Sequence, residues 1–435
     1  MTPTEALAAA AARYRQRDLA GCLEICVGLL TGDAAVTAAE LGILCVAEAG
    51  QAGLARQILD VVAQRGLPMP VVARRACHNM LNLRKTAALL ELAEQAPAGH
   101  PLHILALYYA ACAVMMDGAR DRALTLFERF RYQVRDYFSV VPFTMDDSFN
   151  VPFRQGTLVL PASSVTARLA EPPDLPPVVT GFAVERRADP AGTVYVACAD
   201  GRYIERFAAG FAASLDRPGV ALHLHVVNPT PGADALLASL AGRLTAASLG
   251  LSRSEDRHYG HATAYACARF YVMPALLDLY ERPLVALDID VAPLEPVTRL
   301  ESGALAGEVD FAVFETGRNE PASIYQASVM LWPPNAACRR FLDALQRFCT
   351  PRLGMPVRLN WQLDQAALLS VLNWQDETGQ VFRFRTLNDL LGCRFADAVT
   401  SVADEMEKLG IKEAASGIDA RYVDAEGIVR YPWEP

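Results

Sequence analysis

Lysine is nearly absent from this chain of 435 residues: Lys85, Lys408 and Lys412 occur, and the rest of its 40 basic residues are arginines. No run of basic residues occurs, and the formal net charge is −9. Proteins that bind nucleic acids normally carry a basic patch or stripe, so we expect no nucleic-acid partner. Arginine suits bidentate contacts to phosphate or carboxylate. The abundance of alanine, however, also fits the codon bias of a GC-rich genome, and we expect this bias to explain most of the arginines.

The features of membrane and secreted proteins are also missing. The longest apolar stretch, ILALYYAACAVMM at 104–116, is shorter than the about 20 residues that span a bilayer. No charged segment precedes an apolar core at the N-terminus, so we expect no signal peptide. Ten cysteines occur without CxxC spacing, which argues against a disulfide or zinc framework. We therefore expect a protein of the reducing cytoplasm without a transmembrane segment.

Residues 1–136 carry apolar residues at helical spacing, and a chain of this length predicts two or three domains. Four segments begin a second helix after a short turn, and each carries a small residue. These residues are Cys22, Ala55, Ala88 and Ala123, at spacings of 33, 33 and 35 residues. The period is close to the about 34 residues of helix-turn-helix arrays, and the segment resembles tetratricopeptide repeats. A generic helical bundle with accidental spacing is the alternative.

The pattern changes twice after the helical segment. Residues 137–191 are rich in proline and predict a linker or wrapping segment, with a short strand in GTLVLPASSV at 156–165. From residue 192 to 435 predicted strands such as TVYVACAD, VALHLHVVN and PLVALDID alternate with predicted helices. This alternation predicts an α/β layer with a mostly parallel sheet. Ligands of such sheets bind at the carboxyl ends of the strands.

Two carboxylates, Asp288 and Asp290, follow the buried strand in LVALDIDVAP. Residues i and i+2 of an extended chain share one face, and a turn at the strand end would let both side chains reach one Mg²⁺ or Mn²⁺ ion. A solvated acidic turn is one alternative. A phosphatase of the haloacid dehalogenase type is another, but it needs a downstream lysine and a further acidic pair. The only downstream lysines, Lys408 and Lys412, lie near the C-terminus, and no acidic pair follows a strand after them.

Three stretches in the right order resemble glycosyltransferase family 8, which has the GT-A fold. They are VYVACADGRYIERFAAGFAASL, AYACARFYVMPALLDLYERPLVALDIDVAPLEPV and WQLDQAALLSVL, within residues 193 to about 372. The resemblance implies that the DxD aspartates, Asp288 and Asp290, hold a divalent cation on the donor diphosphate. It further implies the positions of the remaining site residues: Asp200 and Tyr203 at the nucleotide base, Arg269 facing the donor, and Asp364 with Gln365 at the donor sugar.

The resemblance implies a metal-dependent glycosyltransferase, with Mn²⁺ or Mg²⁺ as cofactor. A nucleotide-diphosphate sugar, with a UDP-sugar favoured, would donate to a glycan or protein acceptor with retention of configuration. The helical repeats would offer a surface to a protein partner. This architecture is an α/β GT-A domain behind an N-terminal all-α, tetratricopeptide-like domain.

Some family residues are missing from this chain. No histidine follows His261, so the family's histidine metal ligand has no counterpart. Gln326 and Ser328 stand where the family has asparagine and glycine. These departures favour an alternative, in which a catalytically reduced GT-A domain serves as a protein-binding scaffold.

Two histidines and two tryptophans complete the set of candidates. His223 and His225 alternate along one predicted strand; a metal site is conceivable, but we expect them on the solvent face. Trp332 is expected in the core, whereas Trp361 could be a core residue or could stack on a ligand.

Overall fold

The computed structural model describes residues 2–67, 69–140, 152, 155–170, 175–317, 320–354, 362–402, 422–423 and 429–430. Trp361 lies outside these residues. The chain divides into two compact units, the first mainly residues 1–161 and the second mainly residues 162–432. No described helix combines the length and the apolarity that crossing a membrane requires.

The described part of the first unit is built from α-helices that follow one another through short turns. They are α1 Pro3–Arg15, α2 Leu19–Leu29, α3 Ala35–Glu48, α4 Ala55–Gln64, α5 Met69–Asn82, α6 Thr86–Gln95, α7 Pro101–Met116 and α8 Arg120–Val140. The predicted small residues Cys22, Ala55, Ala88 and Ala123 lie on α2, α4, α6 and α8, and all four are buried. Burial at these positions is what close packing of paired helices requires, because a larger side chain would hold the helices apart.

The turns inside the four helix pairs share one backbone conformation. Arg17, Gly50, Arg84 and Gly118 have φ of 65°, 68°, 57° and 82°, in the left-handed region. The spacings are 33, 34 and 34 residues, in phase with the small residues. Only two of these positions carry glycine, which adopts this conformation without a steric cost, so the sequence shows the turn in only two pairs. The helix-pair repeat is present, and its assignment to the tetratricopeptide family stays a prediction.

The second unit alternates strands and helices. Its strands are β1 Thr180–Arg186, β2 Val194–Asp200, β3 Ala221–Val227, β4 Ser248–Glu255, β5 Leu284–Leu287, β6 Val291–Pro293, β7 Phe311–Glu315, β8 Tyr325–Trp332, β9 Phe384–Thr386, β10 Val399–Ser401, β11 Tyr422–Val423 and β12 Val429–Arg430. Its helices are α9 Ala162–Ala170, α10 Gly201–Leu215, α11 Pro231–Arg243, α12 Ala262–Tyr280, α13 Glu295–Thr298, α14 Ala336–Leu353, α15 Leu363–Glu377, α16 Leu387–Leu391 and α17 Phe395–Ala398.

Among the described residues, eight strands form one mixed sheet in the order β1-β4-β3-β2-β5-β8-β7-β9. Strands β4, β3, β2 and β5 pair in parallel, and β8 is antiparallel to both β5 and β7. The strand β7 therefore runs in the same direction as β5. As a result, the carboxyl ends of β2, β5 and β7 and the first residues of β8 meet at one edge, where ligands of α/β sheets bind.

The centre of the sheet is buried on both faces, as parallel strands usually are. Every residue of β3 and β5 is buried. Tyr195 of β2 belongs to one core with Phe211 of α10. Trp332 is fully buried against Phe311 and Phe341, as the sequence predicts. This packing fixes the strand ends that carry the polar residues of the sheet edge.

Two expectations about strand residues are wrong. The segment predicted as a short strand, 156–165, instead leads into α9, because Pro161 has no N–H for a strand ladder and the alanines that follow favour a helix. The histidines of β3 are not on a solvent face: His223 and His225 are both completely buried. They are accommodated because hydroxyl groups of neighbouring elements satisfy their ring nitrogens.

A chain of hydrogen bonds runs through these buried rings. Tyr280 accepts from the backbone N–H of Ala188, and its hydroxyl lies 2.7 Å from Nδ1 of His223. Ser252 lies 2.7 Å from both His223 Nε2 and His225 Nδ1, and Ser254 lies 2.9 Å from His225 Nε2. One hydroxyl proton can serve only one acceptor. The chain therefore runs in a single direction with both rings neutral: protonated on Nε2 if Tyr280 donates to His223, and on Nδ1 if Ser254 donates to His225.

Candidate functional site

A cavity of about 1430 Å³ opens at the carboxyl edge of the sheet. The structure brings all seven predicted site residues into its wall: Asp200, Tyr203, Arg269, Asp288, Asp290, Asp364 and Gln365. They come from the end of β2, the start of α10, the middle of α12, the turn after β5 and the start of α15. Segments that are up to 165 residues apart in sequence therefore converge on one concave surface.

A tight turn explains why both aspartates after β5 reach the cavity. The backbone N–H of Val291 donates to the carbonyl of Asp288 at 3.2 Å, which closes a four-residue turn. Ile289, between the two aspartates, is buried in the core. A second hydrogen bond holds the backbone of this turn, because the N–H of Val402 donates to the carbonyl of Asp290 at 3.0 Å. The apolar residue anchors the turn, and the carboxylates on either side of it line the cavity.

Arg269 is the buried cation of this site. Its Nη2 lies 2.8 Å from Oδ1 of Asp288 and 4.0 Å from Oδ2 of Asp364. Its Nη1 donates to the carbonyl of Ala327 at 2.8 Å, and its Nε donates to the carbonyl of Ala266 at 2.7 Å. Burial acts to lower the pKa of the guanidinium, but the carboxylates of Asp288 and Asp364 outweigh it and raise that pKa. Arg269 is therefore a fixed positive charge between two carboxylates.

The carboxylate of Asp288 is also held by the neighbouring strand. The hydroxyl of Ser328 donates to Oδ2 of Asp288 at 2.5 Å, and Nε2 of Gln326 donates to the same hydroxyl oxygen at 3.0 Å. The backbone N–H of Asp288 donates to the carbonyl of Ser328 at 3.0 Å. Gln326 and Ser328 are the residues where the sequence departs from family 8, and sequence reasoning gave them no role. Only the pairing of β5 with β8 reveals their contact with Asp288.

Asp364 and Gln365 begin α15, and Asp364 faces the same Nη2 of Arg269 that contacts Asp288. The side chain of Asp364 is 10% exposed, and burial raises its pKa, with Arg269 acting in the opposite direction. Its Oδ1 accepts the backbone N–H of Gln365 at 3.0 Å. With its amide oriented to satisfy hydrogen bonding, Gln365 donates to the carbonyls of Tyr325 and Ala322, both at 2.8 Å. Both residues are therefore fixed in place at the cavity wall.

Asp200 and Tyr203 form the end of the cavity at β2. Asp200 caps α10, and its Oδ1 accepts the backbone N–H of Tyr203 at 2.9 Å. Burial, with the nearby carboxylates of Asp290, Asp200 and Asp288, raises the pKa of the Tyr203 phenol. The phenol is therefore protonated at neutral pH and can donate a hydrogen bond. Asp200 therefore has a structural role as the N-cap of α10. It is also the last residue of β2, and the carboxyl ends of strands are where ligands of α/β sheets bind.

The wall of the cavity carries an excess of negative charge. Six described acidic side chains line it, against two basic ones: Asp200, Asp288, Asp290, Glu315, Asp364 and Asp389, with Arg269 and Arg394. A diphosphate brought into this wall needs a cation to offset the repulsion. Two carboxylates at one turn are the oxygen donors that Mg²⁺ accepts together with substrate phosphates. Within the described ranges, however, no group of three or more His, Cys, Asp or Glu side chains is arranged to hold a metal ion.

No family model matches the chain, and no curated protein matches it in sequence. The solved structures similar to it include the WbbM bifunctional glycosyltransferase in its apo form, with a TM-score of 0.30 and 13% identity over 42% of this chain and 38% of that chain. They also include mouse xyloside xylosyltransferase 1 in its apo form, with a TM-score of 0.28 and 12% identity over 45% of this chain and 84% of that chain. The chain thus spans well under half the length of WbbM.

Proposed function

We propose that the second unit is a GT-A glycosyltransferase domain that transfers a sugar from a nucleotide-diphosphate donor, a UDP-sugar being favoured. One observation carries this proposal. At the carboxyl edge of a mixed sheet, the turn of Asp288 and Asp290, the buried Arg269 and the buried Asp364 all line one cavity. A diphosphate needs positive charge at that edge, and a sugar needs fixed hydrogen-bonding groups beside it.

The residues present fit a divalent cation whose remaining ligands come from the donor. Asp288 and Asp290 would hold Mn²⁺ or Mg²⁺, and diphosphate oxygens would complete its coordination, as is usual for ions bound through one or two carboxylates. When bound, the ion supplies positive charge that stabilises the leaving diphosphate. The acidic wall supports this assignment, because it would otherwise repel the donor.

The remaining residues of the site bind and orient the donor. Arg269 would contact the diphosphate with a charge-assisted hydrogen bond. Asp200 and Tyr203 would bind the nucleotide base, and Asp364 and Gln365 would flank the sugar. Transfer with retention to a glycan or protein acceptor, and a protein partner on the helical unit, belong to the same proposal.

A thermal-shift screen of UDP- and GDP-sugars, each with Mn²⁺ or with EDTA, tests the proposal directly. Binding to the native state raises the unfolding temperature by mass action, so we expect a shift with at least one donor that requires the metal. Hydrolysis of that donor in the absence of an acceptor should follow the same metal dependence. If no common UDP- or GDP-sugar produces a shift or is hydrolysed, the proposal fails.

A second candidate is a protein-binding scaffold whose GT-A domain no longer turns over. One observation favours it: both carboxylate oxygens of Asp288 already accept a hydrogen bond, one from Arg269 and the other from Ser328, so a cation would have to share an oxygen with one of these donors. Calorimetry separates the two candidates. Affinity for UDP that increases with Mn²⁺ supports the transferase, whereas UDP binding that is absent or indifferent to metal supports the scaffold.

A further inference from the structure

Two polar side chains of β8 have no task in the proposed function. Gln326 and Ser328 are two residues apart on one strand, so they share a face, and both line the cavity. Ser328 is 7% exposed. A buried hydroxyl and an amide beside a carboxylate are costly unless their hydrogen bonds are made. Their partners therefore indicate what they do.

The direction of these hydrogen bonds is fixed by chemistry. The Nε2 group of Gln326 can only donate, so the hydroxyl oxygen of Ser328 accepts from it at 3.0 Å. The hydroxyl proton is then available for Oδ2 of Asp288, at 2.5 Å. On the opposite side, Nη2 of Arg269 holds Oδ1 at 2.8 Å. With both oxygens restrained, the carboxylate of Asp288 cannot rotate about its bond to Cβ without breaking a hydrogen bond.

The backbone supports the same arrangement. Leu287 pairs with Val329 in the antiparallel ladder, and the N–H of Asp288 donates to the carbonyl of Ser328 at 3.0 Å. The ladder therefore sets the distance between the Ser328 hydroxyl and the carboxylate. Arg269 is itself held by the carbonyl of Ala327 on the same strand. One strand thus positions the groups that hold both oxygens of Asp288.

We propose that Ser328 and Gln326 are positioning residues, which fix the Asp288 carboxylate in the orientation that receives the cation. This inference rests on the proposed function, because the cation gives the orientation its purpose. Groups that hydrogen-bond to metal ligands typically contribute a factor of about 10 to 100 in metal affinity. Ser328 and Gln326 should therefore act on the affinity for Mn²⁺ and leave the affinity for nucleotide without metal unchanged.

The experiment titrates Mn²⁺ into the full chain saturated with UDP, by calorimetry, and titrates UDP into the same proteins in EDTA. We expect Ser328→Ala to weaken Mn²⁺ binding by about 10-fold or more. Ser328→Thr, which keeps a hydroxyl, should bind Mn²⁺ nearly as the unmodified protein does. Gln326→Met should weaken Mn²⁺ binding less than Ser328→Ala, because the serine can still donate. Ser214→Ala is the matched control, since Ser214 donates within its own helix outside the cavity wall.

The outcomes separate the positioning role from the proposed function. If the unmodified protein binds Mn²⁺ with UDP and Ser328→Ala binds it equally well, the positioning role is refuted and the transferase stands. If the unmodified protein shows no Mn²⁺-dependent binding, the proposed function fails and the positioning role fails with it. Should Ser328→Ala not fold, Gln326→Met decides alone, and an unchanged affinity for Mn²⁺ would overturn the inference.

Discussion

At the scale of single residues, the site is an arrangement of compensated charge. Arg269 is the one cation within 4.0 Å of both Asp288 and Asp364 among the described ion pairs of the cavity. Burying the charge of Arg269 without these carboxylates would cost free energy, and so would burying the carboxylates without Arg269. The three side chains therefore act as one unit, and a change at any of them alters the other two.

The first prediction concerns Asp288. Asp288→Asn removes one carboxylate charge from the cation site but keeps the size of the side chain. We expect hydrolysis of the nucleotide-sugar donor to fall by about 100-fold or more, with the fold retained. Donor hydrolysis and circular dichroism on the same preparation provide the measurement.

Asp389→Asn is the matched control for this prediction. Asp389 also lines the cavity, but it lies in the first turn of α16, where its carboxylate accepts from the hydroxyl of the N-cap residue Thr386. Activity close to that of the unmodified protein is expected. An equal loss in both variants would mean that general negative charge, and not the Asp288 position, supports the reaction.

The second prediction concerns a backbone conformation in the helical unit. Arg84 has φ of 57° in the turn between α5 and α6, and a side chain in the left-handed region costs roughly 1–2 kcal/mol. Arg84→Gly removes that cost but adds chain entropy to the unfolded state. We expect a net gain of about 0.5–1 kcal/mol in the free energy of unfolding, measured by urea denaturation.

The equivalent turn between α7 and α8 supplies the opposite test. Gly118 has φ of 82° and open space around the position of a Cβ. Gly118→Ala should therefore destabilise the protein through backbone strain alone. A loss of stability in Arg84→Gly, or a gain in Gly118→Ala, would contradict the shared left-handed turn.

At the scale of elements, the buried histidines of β3 make the sheet sensitive to acid. Burial lowers the pKa of His223 and of His225 to about 3. In the unfolded chain a histidine titrates near 6.5, so between these values the unfolded state binds more protons than the folded state. The stability that the neutral rings contribute is present above pH 6.5 and is lost as the pH falls toward 3.

The third prediction follows from this difference in proton binding. Between pH 6.5 and 5, the free energy of unfolding should fall by about 1.6 kcal/mol for each of these two histidines. Urea denaturation at the two pH values gives the measurement. His258→Gln is the control, because His258 is exposed and lies outside the hydrogen-bonded chain of His223 and His225. A stability that does not change over this range would contradict the buried neutral pair.

Some elements of the second unit could be predicted from the sequence alone, and others could not. The strands β2, β3 and β5 lie within the predicted segments TVYVACAD, VALHLHVVN and PLVALDID, so these elements follow from the sequence pattern. The strand β4 escapes notice because SLGLSRSE has few bulky apolar residues. The burial of His223 and His225 could not be read from β3, since their partners lie on β4 and α12. Ser328 likewise acquires its meaning only through pairing with β5.

At the scale of the whole molecule, every described residue that lines the cavity lies between 198 and 396, in the second unit. The fourth prediction is that donor binding protects this unit from hydrogen exchange. With UDP and Mn²⁺, we expect slower exchange in peptides that cover 198–204, 284–291 and 362–366. Peptides that cover α2 to α4 should exchange as before. Protection confined to the helical unit would place the nucleotide elsewhere and refute the assigned site.

The hydrogen-bonded histidines of β3 have a consequence for folding specificity. Alternation of buried side chains rejects a slip of one residue between paired strands, because such a slip turns every side chain to the other face. A slip of two residues passes that test. Here a slip of two in either direction would keep one serine beside His225 but put Asp256 or Gly250 in the place of the other. It would also replace Gly250 opposite His223, where a Cβ would collide with His223 and Tyr280. Polar groups in the middle of an apolar sheet thus select one register among those that hydrophobicity alone would accept.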